Sequence, residues 1–344
     1  MSIKTLFLSK RIYTSNYCIN WMRQIFLKQI LIGCISMFYI NVVAQDVSFS
    51  HYFLNSVVEN PAVTGSVNDG RVFLHYRNQL PAFGSTYVTY QGSYDKFSPK
   101  MKSGWGLNIL RDNIAGNVIT NTQADILYSY RFKESHNMKM QLGLQASFQF
   151  YNINTSSLNV ADPNLPADFS STQPDFGVGY LAMTRYSQFG ISVGHLNRSF
   201  LLLNNTFVES PMKFSVFYSH DIELTNYRKT VAPVYTLTPA LMVLYQGGSM
   251  MFDYGASLKF NNIIAGLWCR TNVPIQVTNA IASIGFIIDN WQIGYSYDYN
   301  VLSLKNIMPY TGAHEIAIVA RFKQDPKRKR FGSIPCPDVI IPEK

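Results

Sequence analysis

The chain has 344 residues, of which 47% are hydrophobic, 14% aromatic and only 14% charged, and its net charge is +9. Charge this far below the roughly 25% of an average soluble domain means that much of the surface does not face water. The positive balance is local: residues 1–44 carry five Lys or Arg and no acid, residues 323–344 carry six bases and three acids, and the body between them has 18 bases and 17 acids, which argues against a nucleic-acid footprint across the fold.

Residues 1–44 read as a secretory signal region. Arg23 and Lys28 make a basic start, residues 30–40 a mostly apolar core, and Val42, Val43 and Ala44 a small-residue exit before Gln45, with Met22 as the expected biological start. A lipoprotein box at Leu31-Ile32-Gly33-Cys34 and an uncleaved helical anchor are the alternatives. Further on, no run of 18 apolar residues exists, so a membrane-spanning body would be a β-barrel. Residues 45–69 do not alternate cleanly, and Asn60, Pro61 and Gly65 mark a turn. Phe49, Tyr52, Phe53 and Val57 fall at helical spacing, which predicts a short amphipathic helix in or under a barrel mouth, with a loose periplasmic lead-in as the alternative.

From Gly70 onward the pattern has period two. Strands are expected at 71–79, 87–95, 104–111, 121–132, 138–151, 175–186, 189–197, 212–222, 234–246, 251–260, 263–270, 277–288, 291–301 and 314–322. The clearest is 291–299, where Trp291, Ile293, Tyr295, Tyr297 and Tyr299 form one face and Gln292, Gly294, Ser296 and Asp298 the other. About fourteen two-faced segments with aromatic ends are the signature of an all-β, transmembrane outer-membrane β-barrel of antiparallel strands. The links agree: those after strands two, four, six, ten and twelve are short, and the longest follow strands five, seven and thirteen. Short turns inside and long loops outside are expected when both termini are periplasmic; a soluble sandwich would not alternate in this way. Parity then predicts that Arg at Leu144 or Tyr295, facing lipid, is costly, and that Arg at Gln145 or Ser296 is milder.

The same parity selects Arg71, His75, Arg77, Gln91, Asp95, Asp125, Arg131, Asp253, Lys259, Asp298, Glu315 and Arg321 as inward residues, with His314 beside Glu315 in the closing strand. Both signs are present, so cross-pairing inside the lumen is favoured over a selectivity ring. Strands one and fourteen must meet in a closed barrel, and Arg77 and Glu315 are expected to pair across that seam. Catalytic patterns are missing from the sequence: there is no Gly-x-Ser-x-Gly elbow, Walker, HExxH or EF-hand motif, and Gly177 and Gly179 lie within a strand. No metal or cofactor is implied. Cys269 and Cys336, distant in sequence, could pair, or Cys269 could serve as a small apolar residue. Residues 324–344 form a tail in which Pro326, Lys327, Arg328, Lys329 and Arg330, then Ile334, Pro335 and Pro337, cannot extend a sheet; it is expected to hang in the periplasm, as a solvated segment or as a dock for a periplasmic partner.

Several motifs resemble the PorP/SprF family. They are Gln45-Asp46 with Phe49, Ser50 and Tyr52; Asn60-Pro61-Ala62 with Gly65-Ser66; Tyr76-Arg77-Asn78-Gln79; 293–299; and Thr311-Gly312-Ala313-His314-Glu315-Ile316. Val63 and the Thr311-Gly312-Ala313 run depart from the family's commoner Tyr and Gly-Gly-Ser. The resemblance implies an outer-membrane barrel of the Bacteroidota that works with other type IX secretion components and supports secretion or surface attachment of cargo proteins, among them gliding adhesins. A passive porin is the alternative. The expected organisation is a signal region 1–44, a prefix or plug 45–69, a barrel 70–323 and a basic tail 324–344.

Overall fold

The computed structural model describes residues 46–50, 54, 56–81, 87–157, 168–197, 200–203, 206–224, 235–273, 276–301 and 312–322. The expected signal region, and the tail with Lys327, Arg328, Lys329, Arg330, Ile334 and Cys336, lie outside the described residues. Seventeen strands follow in chain order: β1 Gly70–Gln79, β2 Tyr87–Ser98, β3 Ser103–Ile114, β4 Ile119–Glu134, β5 Met138–Ile153, β6 Phe169–Thr184, β7 Ser187–Gly194, β8 Phe200–Leu203, β9 Thr206–Glu209, β10 Lys213–His220, β11 Ile222–Glu223, β12 Tyr235–Gln246, β13 Ser249–Phe260, β14 Ile263–Asn272, β15 Gln276–Ile288, β16 Trp291–Asn300 and β17 Gly312–Phe322.

Fourteen of them close an antiparallel barrel. Each pairs with its chain neighbour, β10 meets β12, and β1 meets β17 with Arg71 opposite Arg321 and Arg77 opposite Glu315. Strands β8 and β9 form a separate hairpin, and β11 prolongs β10 along β12. Closure leaves no unpaired edge, which a barrel in hydrocarbon requires. At the end that holds Gly70 and Phe322, two-residue turns at Asn261 and Asn262 and at Asp289 and Asn290 use left-handed Asn261 (φ 50°) and Asp289 (φ 53°), residue types that tolerate this region. Short turns identify that end as periplasmic.

Several strands are longer than the alternation suggested, among them β4, β5 and β6. β4, β5 and β6 stay paired out to Ile119, Ile153 and Phe169. Their tips are Thr120 and Asn121, Asn152, and Ser170 to Thr172, polar on both faces, so period two disappears from the sequence while the backbone ladder continues. Conversely, the seventh expected strand ends early, at Gly194, where His195 takes φ 54°.

The faces separate cleanly. Leu107, Ile109, Ile126, Tyr128, Leu142, Leu144, Leu267, Ile293 and Tyr295 are exposed outward, while their neighbours in sequence are buried or, at Gln145, half-buried. Arg in place of Leu144 is expected to cost about 2–4 kcal/mol at mid-bilayer, measured as a loss of urea resistance of the barrel folded into lipid vesicles. Gln145→Arg is expected to be milder, because Gln145 borders a cavity; equal damage at the two sites would contradict the assignment of faces. Ser296 is different. It is completely buried, so the mild effect expected for Arg there is withdrawn: the lumen at that level is filled.

What fills it is the prefix. No α-helix forms in its described part; residues 56–59 turn, and Pro61–Val63 is a 3-10 helix capped by the Asn60 side chain, which accepts from Ala62 N. A residue before proline disfavours the α region, and Asn60 is extended, with φ −147°. Of the positions read as a helical stripe, Tyr52 and Phe53 lie outside the described residues, while Phe49 and Val57 are buried. Leu54, Val57, Ala62 and Val63 pack with inward Phe73, Leu127, Leu181, Phe217, Met242, Trp268, Ile281 and Val319 as one core inside the barrel. Burying side chains such as Leu54 and Val57 contributes roughly 1.5–3 kcal/mol each.

Candidate functional site

The prefix crosses the lumen from outer end to periplasmic end. Asp46 lies among His195, Lys213 and Gln246, at the outer ends of β7, β10 and β12; Gly65 lies against β2 and β3 near their periplasmic turn. Three sets of lumen residues hold it.

The first set is at the seam. Arg77 Nη1 donates to Glu315 Oε2 at 2.7 Å and Arg77 Nη2 to Asp298 Oδ2 at 2.8 Å, while His75 Nε2 is 3.1 Å from Glu315 Oε1. The prefix enters this cluster through Ser50, whose backbone N–H donates to Glu315 Oε2 (2.9 Å) and whose hydroxyl contacts Asp298 (2.6 Å) and accepts from Arg77 (2.8 Å). Phe49 stacks on His75 at 4.7 Å. Next to it, Arg270 forms a two-armed pair with Asp253 (2.8 Å on each arm) and reaches Ser48 Oγ at 3.1 Å. In a low-dielectric interior such forked pairs are geometrically demanding, so they set the position of residues 48–50.

The second set is a row of small residues. Gly104, Ser129, Gly143, Gly179, Ser192 and Ser215 are successive cross-strand partners around β3, β4, β5, β6, β7 and β10. The row is a seat for Asn60 to Gly65. A Cβ on Gly143 would stand 2.1 Å from Ala62 N, and one on Gly179 2.0 Å from Asn60 Oδ1. Ser129 donates to Thr64 O at 2.6 Å, and Ser192 and Ser215 donate to Glu59 O at 2.5 and 3.2 Å. Asn60 Nδ2 donates to Tyr180 O and Ile191 O, and Gln141 Nε2 donates to Ala62 O. At the periplasmic side Arg71 and Asp95 pair at 2.6 Å and take Val63 O and Gly65 N, while Arg131 donates to Gly65 O and Ser66 O at 3.0 and 3.1 Å. Gly65 itself has φ +62°, and a Cβ there would meet Gly104 Cα at 2.6 Å; glycine satisfies both demands.

The third set is an ionic latch at the outer end. His195 lies between Asp46 Oδ2 (2.9 Å) and Asp175 Oδ2 (2.8 Å), and Lys213 lies 2.9 Å from Glu59 Oε2 and 3.6 Å from Asp46 Oδ2. Burial alone would push the His195 imidazole down, but the Asp46 and Asp175 carboxylates outweigh it and raise its pKa to about 10. Asp46 is opposed by burial in the same way, yet His195 and Lys213 hold it well below the usual carboxylate range. His195, raised above its ordinary 6.5, contributes its full share below that value and loses it as pH climbs through about 10. Asp46, depressed, contributes above its ordinary 3.8 and loses its share only in acid. Currents through the purified protein in planar bilayers are therefore expected to stay flat across neutral pH and to rise above about pH 10, whereas His195→Gln should loosen the latch already at neutral pH. A wild-type rise near neutrality would contradict this.

The structure thus joins His75, Arg77, Asp298 and Glu315 in one cluster, places Arg71 with Asp95 and Arg131 in another, and leaves Asp125 apart, bonded to Asn108 and Gln123. Arg321 stands opposite Arg71 at the periplasmic rim. His314 is corrected: it faces outward, its Nδ1 2.8 Å from Tyr295 Oη, because consecutive strand residues take opposite faces and Glu315 takes the inner one. His195, Lys213 and Arg270 were not selected from sequence, and Ser50 appeared only as part of a family motif. Inward glycines at Gly104, Gly143 and Gly179 were the available signal, since a lumen wall without side chains needs something else to fill it. Among the described residues Cys269 has no disulfide partner, and Cys336 lies outside them. Among the described residues no group of three or more His, Cys, Asp or Glu is placed to hold a metal ion.

A closed fourteen-stranded barrel with an apolar outer face and a polar, occupied lumen defines an integral outer-membrane β-barrel protein. Residues 41–319 match the family described as type IX secretion system membrane protein PorP/SprF, and the chain belongs to it. Among curated proteins none matches. Solved structures with a similar fold include the CymD monoaromatic hydrocarbon channel (9% identity, TM-score 0.45, 79% of this chain and 93% of that one). Others are a Pseudomonas aeruginosa FadL homologue (11%, 0.43, 78% and 94%) and the Acinetobacter baumannii outer membrane protein Omp33 (9%, 0.42, 75% and 100%).

Proposed function

We propose that this type IX secretion component is a non-enzymatic scaffold that supports secretion or surface attachment of cargo proteins, gliding adhesins included, and does not conduct them through its own lumen. The observation that carries this reading is the prefix seated across the lumen by the Arg77, Arg131 and Lys213 clusters: a folded or extended polypeptide could pass only by displacing it. Cargo would then dock on the outer loops, and the other secretion components would act from the periplasmic side, where the basic tail follows β17. For that tail we favour docking on a periplasmic ring component or peptidoglycan-linked partner, with Lys327, Arg328, Lys329 and Arg330 speeding encounter and Ile334 anchoring.

Deleting the gene is expected to strip particular large proteins from the cell surface and leave small-solute uptake unchanged. Truncation after Lys323 should leave insertion intact and abolish display if the tail docks. The reverse deletion phenotype would favour a porin, a reading supported by the cavity of about 300 Å³ that remains in the outer half of the lumen. Pull-down from detergent-solubilised outer membranes would identify the partners.

A further inference from the structure

That cavity has a chemistry of its own. It lies between the latch and the outer ends of β3, β4 and β5, and its wall includes Asp112, Asn121, Gln123, Gln145, Tyr151 and Asp175. Several hydrogen-bond donors of this wall are committed to neighbours. Gln123 Nε2 donates to Asp125 (2.9 Å), Gln145 Nε2 to Ser147 (3.0 Å) and the Tyr151 hydroxyl to Gln149 (2.9 Å). The two cations on the lining, Lys213 and His195, are held by Glu59, Asp46 and Asp175.

Acceptors remain. Asp175 Oδ1 and Asn121 Oδ1 have no hydrogen-bond partner, and Asp175 is 3% exposed. Asp112 accepts from Thr89 Oγ1 at 2.7 Å through Oδ1, and among the described residues it enters no ion pair. Every other lumen carboxylate named above except Asp125 has a cation beside it. Arg77 acts on Asp112 electrostatically but is bonded to Asp298 and Glu315, so a carboxylate at 9% exposure is left without a contacting cation among the described residues and can hold a further one.

We propose that this cavity is a binding site for an organic cation, an alkyl ammonium or a guanidinium, which approaches from the cell exterior and pairs with Asp112. Leu110, Ile114, Ile119 and Val193, also on the lining, would take the alkyl stem, as apolar walls accept the stems of Lys and Arg elsewhere. A basic side chain of an exported protein and a free polyamine share this chemistry. The former deepens the scaffold reading, but the site does not depend on it.

The test uses the whole protein in lipid nanodiscs and three probes followed by calorimetry: Nα-acetyl-arginine amide, its neutral isostere Nα-acetyl-citrulline amide, and putrescine. Saturable binding of the arginine probe or of putrescine, weakened by salt and absent for citrulline, is expected; preference between the two cations tells which source the cavity suits. Asp112→Asn, which keeps shape and can still accept from Thr89, should weaken binding about ten-fold or more, a loss of about 1.4 kcal/mol. Gln123→Lys should abolish it, because Gln123 sits diagonally across the β3 and β4 ladder from Asp112, Leu110 being its direct partner, and a lysine there brings its own ammonium within reach. Heat-modifiable migration on gels confirms that both variants remain folded. Equal binding of the arginine and citrulline probes, no saturable binding of either cation, or full affinity in folded Asp112→Asn would each overturn the proposal. None of these outcomes involves a secretion component, so the scaffold reading would stand or fall separately on the display assay.

Discussion

Arg77→Met is expected to destabilise the barrel by about 3–5 kcal/mol, the usual cost of removing one partner from a buried charge cluster. Arg77 is the only group that bonds both Asp298 and Glu315 through charged nitrogens among the described residues, and both carboxylates are wholly buried. Without it, the Asp298 and Glu315 carboxylates keep the Ser50 donors, His75 beside Glu315 and the field of Arg270, but lose the one guanidinium bonded to both. Arg77→Lys should recover only part of the loss, since one ammonium cannot reproduce the fork that reaches Asp298 and Glu315 together. The triple change Arg77→Met, Asp298→Asn, Glu315→Gln should recover more, because it removes the uncompensated charge itself. Urea titration of protein folded into vesicles measures all three. A folded Arg77→Met variant within about 1 kcal/mol of wild type would show that the cluster is not what holds the seam.

The seam also shows which parts of the structure could be read in advance. Arg77 and Glu315 could be assigned to one contact because barrel closure makes β1 and β17 neighbours and alternation sends both side chains inward; neither inference needs packing detail. The same alternation identified Leu144 and Tyr295 as outward residues and Arg71, Asp95 and Arg131 as inward ones. It failed where period two carries no information. Thr120 and Ser170 to Thr172 continue strands whose two faces are both wet. His314 was grouped with its motif neighbour Glu315, although adjacent strand residues cannot share a face. The prefix was least legible. Its residues answer to the lumen around them: Leu54 and Val57 pack into the barrel core, and Ser50 bonds Asp298 and Glu315, more than two hundred positions away, as well as Arg77. A single stretch of sequence cannot display such partners.

If the prefix is what closes the lumen, unseating it should change the electrical behaviour of the protein more than any other single substitution. Gly143 is the place to do it. It lies mid-strand on β5, and the nearest atoms to an added Cβ are backbone atoms of Pro61 and Ala62, the closest at 2.1 Å, so no side-chain rotation can relieve the clash. Gly143→Val adds branching as well, which β-strands accept readily, so the barrel wall itself should tolerate it while the seat does not. Losing the seat exposes Leu54, Val57, Ala62 and Val63 to a wet lumen and frees the donors of Ser129, Gln141 and Ser192. Wild-type protein in planar bilayers is expected to be silent near neutral pH, and Gly143→Val to pass steady ohmic current. Gly177→Val is the control: it lies two residues from Gly179, and the nearest atoms to its added Cβ belong to Gln145 and Val193 rather than to the prefix, so it should remain silent. Ohmic current from the wild type would point to a porin. A folded Gly143→Val protein that stayed silent would show that something other than residues 60–65 closes the barrel, and would remove the main support for cargo docking outside the lumen.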